Sequence, residues 1–279
     1  MIKVNGYKIK VEHFPDGTQR IKSHGDWLTI GDVTDWDVEW HYKNDSELVT
    51  LMFVVNHIRE HYHNAKIRLY MPYVPNARMD RTKNASEFFT LKYFANIINS
   101  LDFQCVTIVD PHSNVTPALF NRVNVVNAAE IIKANLEPEA YILYFPDASA
   151  AKKYSEGFPH CKYLYGEKKR DWSTGQILGL EIKNPFEISD TEIKQSNILI
   201  IDDIISYGGS MYYSILELEK MGIEGTIDIY ASHLEESFFD EEKGTLRKLF
   251  ADNPHVETLY TTDSIDRGVT ASYVTEIEV

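Results

Sequence analysis

Cysteine is scarce in this chain. Only Cys105 and Cys161 occur in 279 residues, far apart and at no spacing that suits a metal site or a redox pair. No disulfide framework is implied, and a reducing cytosol is the simplest setting. Basic residues are outnumbered, with 28 Lys and Arg against 42 Asp and Glu for a formal net charge of −14. No basic stripe could overcome phosphate repulsion at that balance, which excludes a general nucleic-acid binder. A nucleotide enzyme stays open, because a bound cation and a few local Lys or Arg can set the field inside one cleft. No apolar run approaches membrane-spanning length and no basic-then-apolar leader opens the chain, so a soluble, cytoplasmic protein is expected. Low-complexity segments and sequence-level repeats are also missing. What remains is a globular composition long enough for two domains of ordinary size.

The most informative stretch is Asn197–Gly222, NILIIDDIISYGGSMYYSILELEKMG. Ile198 to Ile201 run apolar without alternation, as expected for a strand buried on both faces of a parallel sheet. Asp202 and Asp203 stand where that strand is expected to end. The small-residue loop Ser206-Tyr207-Gly208-Gly209-Ser210 follows, and Met211, Ile215 and Leu218 then recur at helical spacing until Gly222. Ligands of open α/β sheets sit at the carboxyl ends of strands. A small-residue loop that opens a helix offers backbone N–H groups and a positive dipole end to a phosphate. Paired carboxylates beside such a loop suit a phosphorylated sugar, accepting from its hydroxyls while the loop donates to its phosphate.

The remaining pattern alternates strands and helices. Residues 1–22 predict short antiparallel strands with turns at Asn5-Gly6 and Pro15-Asp16-Gly17. A helix is expected over Asp45–Glu60, a strand over Ile67–Met71, and a helix opened by a capping box of Asn84 and Glu87. Strands follow at Val106–Val109, Tyr141–Phe145, Lys162–Tyr165, Gln176–Ile182, Thr226–Tyr230 and Val256–Tyr260. The pattern implies an α/β fold of two units, residues 1–137 and 138–279. One decoy is His57-Ile58-Arg59-Glu60-His61, which fits the H-x-x-E-H string of a class of zinc peptidases; no downstream residue marks a third ligand, and the helix carrying it reads as scaffold.

Asn197–Gly222 resembles the phosphoribosyl diphosphate (PRPP) motif shared by type I phosphoribosyltransferases and ribose-phosphate pyrophosphokinases. PYVPNARMDR, Pro72–Arg81, chooses between them: it resembles the PYFxYARQDR element of the pyrophosphokinases, which the transferases do not carry. His13-Phe14-Pro15-Asp16-Gly17 resembles the family's RFSDG turn, Val109-Asp110-Pro111-His112 its VDLH element, Phe145-Pro146-Asp147 its SPD, and Glu167-Lys168-Lys169-Arg170 its DKRR loop. The order is that of the family, over roughly residues 10–260. The resemblance implies two similar type I phosphoribosyltransferase-like domains, each a mainly parallel sheet flanked by helices. It also implies transfer of the β,γ-diphosphate of ATP to the anomeric hydroxyl of ribose 5-phosphate, giving PRPP and AMP.

On this resemblance Lys168 and Arg170 are the catalytic cations, on a mobile lid spanning GEKKRDWSTG. Phe14, Asp16, Thr18, Arg78, Met79, Arg81 and His112 form the ATP side, with the adenine shared between subunits of a homo-oligomer. His112 and Asp147 bind or orient Mg²⁺, the implied cofactor. Asp202, Asp203, Ser206, Tyr207, Gly208, Gly209 and Ser210 hold the ribose and its phosphate. Arg78, Lys168, Arg170 and the magnesium are expected to meet the acidic pair in a crevice between the halves.

Departures from the family pattern carry information. Tyr207 stands where a threonine caps the 5-phosphate, and Ser206 replaces the first polar residue of that loop. With Trp172 in the neighbouring lid, Tyr207 opens a larger acceptor such as ADP-ribose beside ribose 5-phosphate. Met79 replaces a glutamine near ATP, and Thr18 an acidic residue. Both ends are short against the family, so a dimer with weakened or absent allostery is expected. Two alternatives remain: a phosphoribosyltransferase consuming PRPP, and a catalytically silent regulatory paralogue.

Overall fold

A computed structural model describes residues 1–22, 34–170 and 177–279, and for 168–170 and 177–179 the backbone alone. The chain forms two compact units, Met1–Val126 with Ser264–Asp266, and Asn127–Asp263 with Arg267–Val279. The division falls one helix earlier than residue 137. Residues 264–266 return to unit 1 through a parallel bridge between Ile265 and Tyr42 and a 3.0 Å bond from the Asp266 N–H to the Tyr42 carbonyl.

Unit 1 comprises β1 (Ile2–Val4), β2 (Tyr7–Lys8), β3 (Lys10–His13), β4 (Gln19–Lys22), β5 (Asp35–Trp40), α1 (Ser46–His61), β6 (Lys66–Tyr70), α2 (Thr90–Ser100), β7 (Cys105–Val109), α3 (Val115–Leu119) and β8 (Val123–Val126). Its sheet runs β2-β1-β5-β6-β7-β8, with β5 to β8 parallel and β1 antiparallel to both neighbours. β3 and β4 form a separate hairpin, closed at the Pro15-Asp16-Gly17 turn as expected. β5 was not anticipated. Its signal is alternation interrupted by charge: Trp36, Val38 and Trp40 are fully buried, while Asp35, Asp37 and Glu39 face the other way. The capping box of Asn84 and Glu87 does not form: Glu87 accepts the Lys83 N–H at 2.7 Å and Asn84 Oδ1 the Ser86 N–H at 3.0 Å, while the Glu87 N–H donates to the Asn84 carbonyl at 3.3 Å. These bonds close a turn. Phe89 leaves helical geometry (φ −77°, ψ 71°), and α2 begins only at Thr90.

Unit 2 comprises α4 (Ala128–Asn135), β9 (Tyr141–Phe145), α5 (Ala148–Tyr154), β10 (Tyr163–Arg170), β11 (Ile177–Lys183), α6 (Asp190–Gln195), β12 (Asn197–Ile205), α7 (Gly209–Lys220), β13 (Ile227–Leu234), α8 (Leu246–Asp252), β14 (Val256–Thr262) and β15 (Val274–Ile277). The sheet runs β11-β10-β9-β12-β13-β14-β15 and is parallel except for the β10–β11 hairpin. Ile198–Ile201 are fully buried, with Ile198 and Ile200 set between Ile142 and Tyr144 of β9 and Ile227 and Ile229 of β13. Burying each such side chain contributes about 1.5–3 kcal/mol. β15 extends the chain's structure past the last expected strand. No helix among the described residues is long and apolar enough to cross a membrane.

Candidate functional site

β12 does not end at its acidic pair. It continues to Ile205 because β13 accompanies it on one side as far as the Ile205–Leu234 pairing. On the other side its pairing with β9 stops at Ile200 and Tyr144. Asp202 and Asp203 therefore lie where one flank of β12 has left the sheet, which opens the carboxyl end of the strand. Asp203 is 7% exposed and Asp202 half-buried. The Asp203 N–H donates to Asp202 Oδ1 at 3.0 Å. Asp147 follows the end of β9 and caps α5, its Oδ1 accepting from the N–H groups of Ser149 and Ala150, both at 2.9 Å. Burial pushes the Asp202 carboxyl well above the usual carboxylate range. The negative charge of Asp203, and more weakly that of Asp147, adds to this. Three carboxylates thus share one low-dielectric corner of unit 2.

The phosphate-type loop follows. Gly208 caps α7 with a left-handed backbone, φ +83°, and a Cβ there would come within 2.4 Å of Leu246 Cβ. A residue with a side chain would be both strained and crowded. Gly209, the first residue of α7, has nothing within 4 Å of its Cβ direction. The first intrahelical bond runs from the Tyr212 N–H to the Gly208 carbonyl at 2.9 Å, and no side chain caps this end. The N–H groups of Gly209, Ser210 and Met211 thus precede the helical ladder and are available to an anion. Ser210 is exposed.

Two loop residues have partners within the protein. The Ser206 hydroxyl donates to the carboxylate of Glu235, which follows β13. Glu235 also accepts from Ser237 Oγ at 3.2 Å. Sequence reasoning missed Glu235; its serine partner lies 29 positions away, and only the side-by-side course of β12 and β13 brings the two together. Tyr207, 41% exposed, is turned under Lys243, whose Nζ lies 5.7 Å from the ring centroid. Lys243 is set by a turn in which Asp240 Oδ1 accepts its N–H at 2.8 Å.

The expected lid is in part a β-arm. Lys168 and Arg170 lie on β10, where Lys168 pairs with Leu180 and Arg170 with Ile177 of β11, with a register shift between Lys169 and Arg170. The polar composition of EKKR carries no apolar alternation, so the strand is set by its pairing with β11. Their side chains, and Trp172, lie outside the described residues. β10 passes close to the Asp147 turn: a Cβ on Gly166 would sit 2.7 Å from the Pro146 carbonyl oxygen.

In unit 1 the structure places two of the motifs expected to form the ATP side next to each other. The Val109 N–H donates to the Pro72 carbonyl at 3.0 Å and the Met71 N–H to that of Thr107 at 2.9 Å. PYVPNARMDR and VDPH therefore leave the carboxyl ends of neighbouring strands β6 and β7. Both loops carry left-handed non-glycine residues, Asn76 at φ +64° and the buried Asp110 at φ +39°. Such conformations concentrate at functional loops. Arg78, Met79, Arg81 and His112 are exposed. The Asp80 carboxylate lies 3.8 Å from Arg81 Nε, the arginine being 84% exposed. Phe14 projects from the β3–β4 turn, 49% exposed, and Asp16 Oδ1 binds the N–H and hydroxyl of Thr18 at 3.0 and 2.7 Å. Gln19 ties that hairpin to α1, donating to the Ser46 carbonyl at 3.0 Å and accepting from Thr50 at 2.9 Å.

No family model matches the chain. A ribose-phosphate pyrophosphokinase of Sulfurisphaera tokodaii is 27% identical, over 97% of this chain and 89% of its own. Those of Saccharolobus solfataricus and Thermococcus kodakarensis are each 27% identical, over 81% of this chain and 77% of theirs. Among solved structures, a phosphoribosylpyrophosphate synthetase from Mycobacterium smegmatis superposes with a TM-score of 0.72 at 16% identity, covering 97% of this chain and 86% of that one. That likeness is one of fold, and it extends through both units. Sequence motifs in order, fold, and similarity along nearly the full length agree: the chain is a divergent relative of the ribose-phosphate pyrophosphokinases.

Proposed function

We propose that this protein is an ATP-dependent pyrophosphokinase that transfers the β,γ-diphosphate of ATP to the anomeric hydroxyl of a 5-phosphorylated ribose. The observation that carries this reading is the corner of unit 2 where Asp202 and Asp203 leave the sheet beside the uncapped start of α7. The carboxylates accept from the ribose hydroxyls, and the N–H groups of Gly209 and Ser210 receive the 5-phosphate. Unit 1 supplies the nucleotide side through Arg78, Arg81 and His112, with Phe14, Asp16 and Thr18 facing the adenine of a neighbouring subunit in a dimer.

In the transfer the anomeric oxygen attacks the β-phosphorus, the bond from that phosphorus to the α,β-bridging oxygen breaks, and AMP leaves. The hydroxyl proton passes to solvent, since no residue stands out as a dedicated base. Lys168 and Arg170 offset the charge that develops on the phosphoryl oxygens. Carboxylate oxygens suit Mg²⁺, and Asp147, near enough for its charge to act on Asp202, would hold it. When bound it supplies charge neutralisation of the polyphosphate. Light scattering tests the dimer; a hexamer would contradict it.

A second reading of the acceptor rests on Tyr207. Its half-exposed ring under the Lys243 ammonium pairs an aromatic face with a cation at the loop tip. That suits a larger 5-substituted ribose such as ADP-ribose, whose second phosphate and base need such groups. Incubation with Mg²⁺–ATP and either ribose 5-phosphate or ADP-ribose, followed by phosphorus NMR, tests both readings. AMP together with a new sugar diphosphate supports the activity and identifies the acceptor. Turnover of ribose 5-phosphate alone removes the second reading, and absence of AMP with both removes the first.

A further inference from the structure

Unit 1 carries a second group of metal-ligand atoms that the transfer reaction does not use. His57, Glu60 and His61 stand at i, i+3 and i+4 on α1, the spacings that bring side chains together on one helix face. One ligand atom from each lies within 4.8 Å of the others. The two imidazole rings are 4.2 Å apart between centroids and tilted by 44°. His61 Nδ1 lies 2.9 Å from the His57 carbonyl oxygen. A carbonyl can only accept, so Nδ1 carries the proton and Nε2 presents its lone pair. Fixing the far ring nitrogen in this way is how proteins set the tautomer of a ligating histidine.

The surroundings favour a cation. The cluster occupies the last turn of α1, where the carbonyl ends of the helix give a negative pole. The one guanidinium in the segment is committed elsewhere, with Arg59 donating to the carbonyls of Leu101 and Asp102 at 2.7 and 2.8 Å.

We propose that His57, Glu60 and His61 form a binding site for a divalent transition-metal cation of the zinc class. Two imidazole nitrogens and one carboxylate oxygen are the ligands, and water completes the coordination shell. This donor set selects zinc-class ions over magnesium, which prefers oxygen alone. Glu60 is a ligand in this site and not the base of a peptidase.

The test uses untagged full-length protein stripped with a chelator and held in saturating Mg²⁺, so that the acidic corner of unit 2 is occupied. Zinc is titrated calorimetrically, and cobalt(II) absorption reports the coordination. The double variant His57→Ala/His61→Ala keeps strong helix formers in α1, and circular dichroism checks its fold. The expected result is a zinc site in the wild type that this variant lacks. Glu60→Gln should bind at least about tenfold more weakly. His160→Ala, an exposed histidine elsewhere, should bind unchanged. A wild type that takes up no zinc, or an isotherm identical in wild type and double variant, would overturn the proposal.

Discussion

The sheets of the two units solve the same problem differently. In unit 2 the central strands β9, β12 and β13 are buried on both faces; Ile198–Ile201 show no alternation, and all of Ile227–Leu234 is buried. In unit 1, β5 and β6 alternate, and their outer face is a lattice of ion pairs. Arg68 reaches Asp37 at 2.6 Å and Asp35 at 3.9 Å, and Lys3 reaches Glu39 at 3.0 Å. A parallel sheet normally has both faces covered. Unit 2 therefore sets its acidic corner on a strand buried on both faces, whereas unit 1 presents its motifs on loops over a sheet with one polar side. The chemistry proposed for each follows this division, with the sugar held at the buried strand and the nucleotide by the loops.

The largest expected effect separates these roles. Lys168→Ala and Arg170→Ala should each lower kcat for AMP release by about 10²–10³-fold with little change in KM for the sugar, as expected for charges needed mainly in the transition state. Arg78→Ala should act chiefly on KM for ATP. Steady-state kinetics with both substrates varied would break the division if Arg78→Ala lost kcat as severely and left KM for ATP unchanged.

Stability should divide the same way. Ile200→Ala removes a fully buried side chain between β9 and β13 and should cost about 2–5 kcal/mol in urea unfolding. Asp37→Ala removes an ion pair on a half-exposed face and should cost less than about 1 kcal/mol. Equal costs would mean that the polar face of unit 1 is covered in solution.

The two glycines of the loop sharpen the contrast within unit 2. Gly208→Ala forces a left-handed residue against Leu246 and should destabilise by about 1–3 kcal/mol. Gly209→Ala has open space and a helical backbone, so it should be neutral or stabilising by up to about 1 kcal/mol. Its methyl would nonetheless stand over the N–H groups proposed to receive the phosphate, raising KM for the sugar. Thermal melts and sugar saturation curves distinguish the two variants.

How much of this was legible in the chain depended on which physical signal each element carries. The β12–α7 string was readable because a doubly buried strand, an acidic pair and a small-residue loop are each local signals. β5 was not, because Asp35, Asp37 and Glu39 interleave its apolar residues and its identity comes from pairing with β1 and β6. β8 and α4, which flank the junction of the units, were passed over, and so the boundary was placed too late. β10 was read as a short strand and a loop because the lysines and arginine of its outer half need no core. The Ser206–Glu235 contact was invisible for a different reason: it exists only once β13 lies beside β12.

The smallest expected effect concerns charge, and here the units carry opposite signs. In unit 1 the exposed Asp102 carboxyl is held below its ordinary pKa by Arg122. Its contribution is present above the unfolded pKa and is lost as pH falls through the folded one. Asp202 in unit 2 is raised, by burial first and then by Asp203 and Asp147. The folded state then binds this proton more tightly than the unfolded chain, so ionising Asp202 is a cost to folding. That cost is absent below the unfolded carboxylate pKa of about 3.9, grows as pH rises from there, and is complete above the folded pKa. Asp202→Asn should therefore stabilise the metal-free protein near neutral pH and give no gain near pH 4. Mg²⁺ should stabilise the wild type more than the variant, because the cation offsets the same repulsion. Urea titrations across pH, with and without Mg²⁺, decide it: an Asn variant less stable at neutral pH would mean that the Asp202 carboxylate is already compensated, and that the acidic corner is a structural feature with no vacancy for a cation or a sugar.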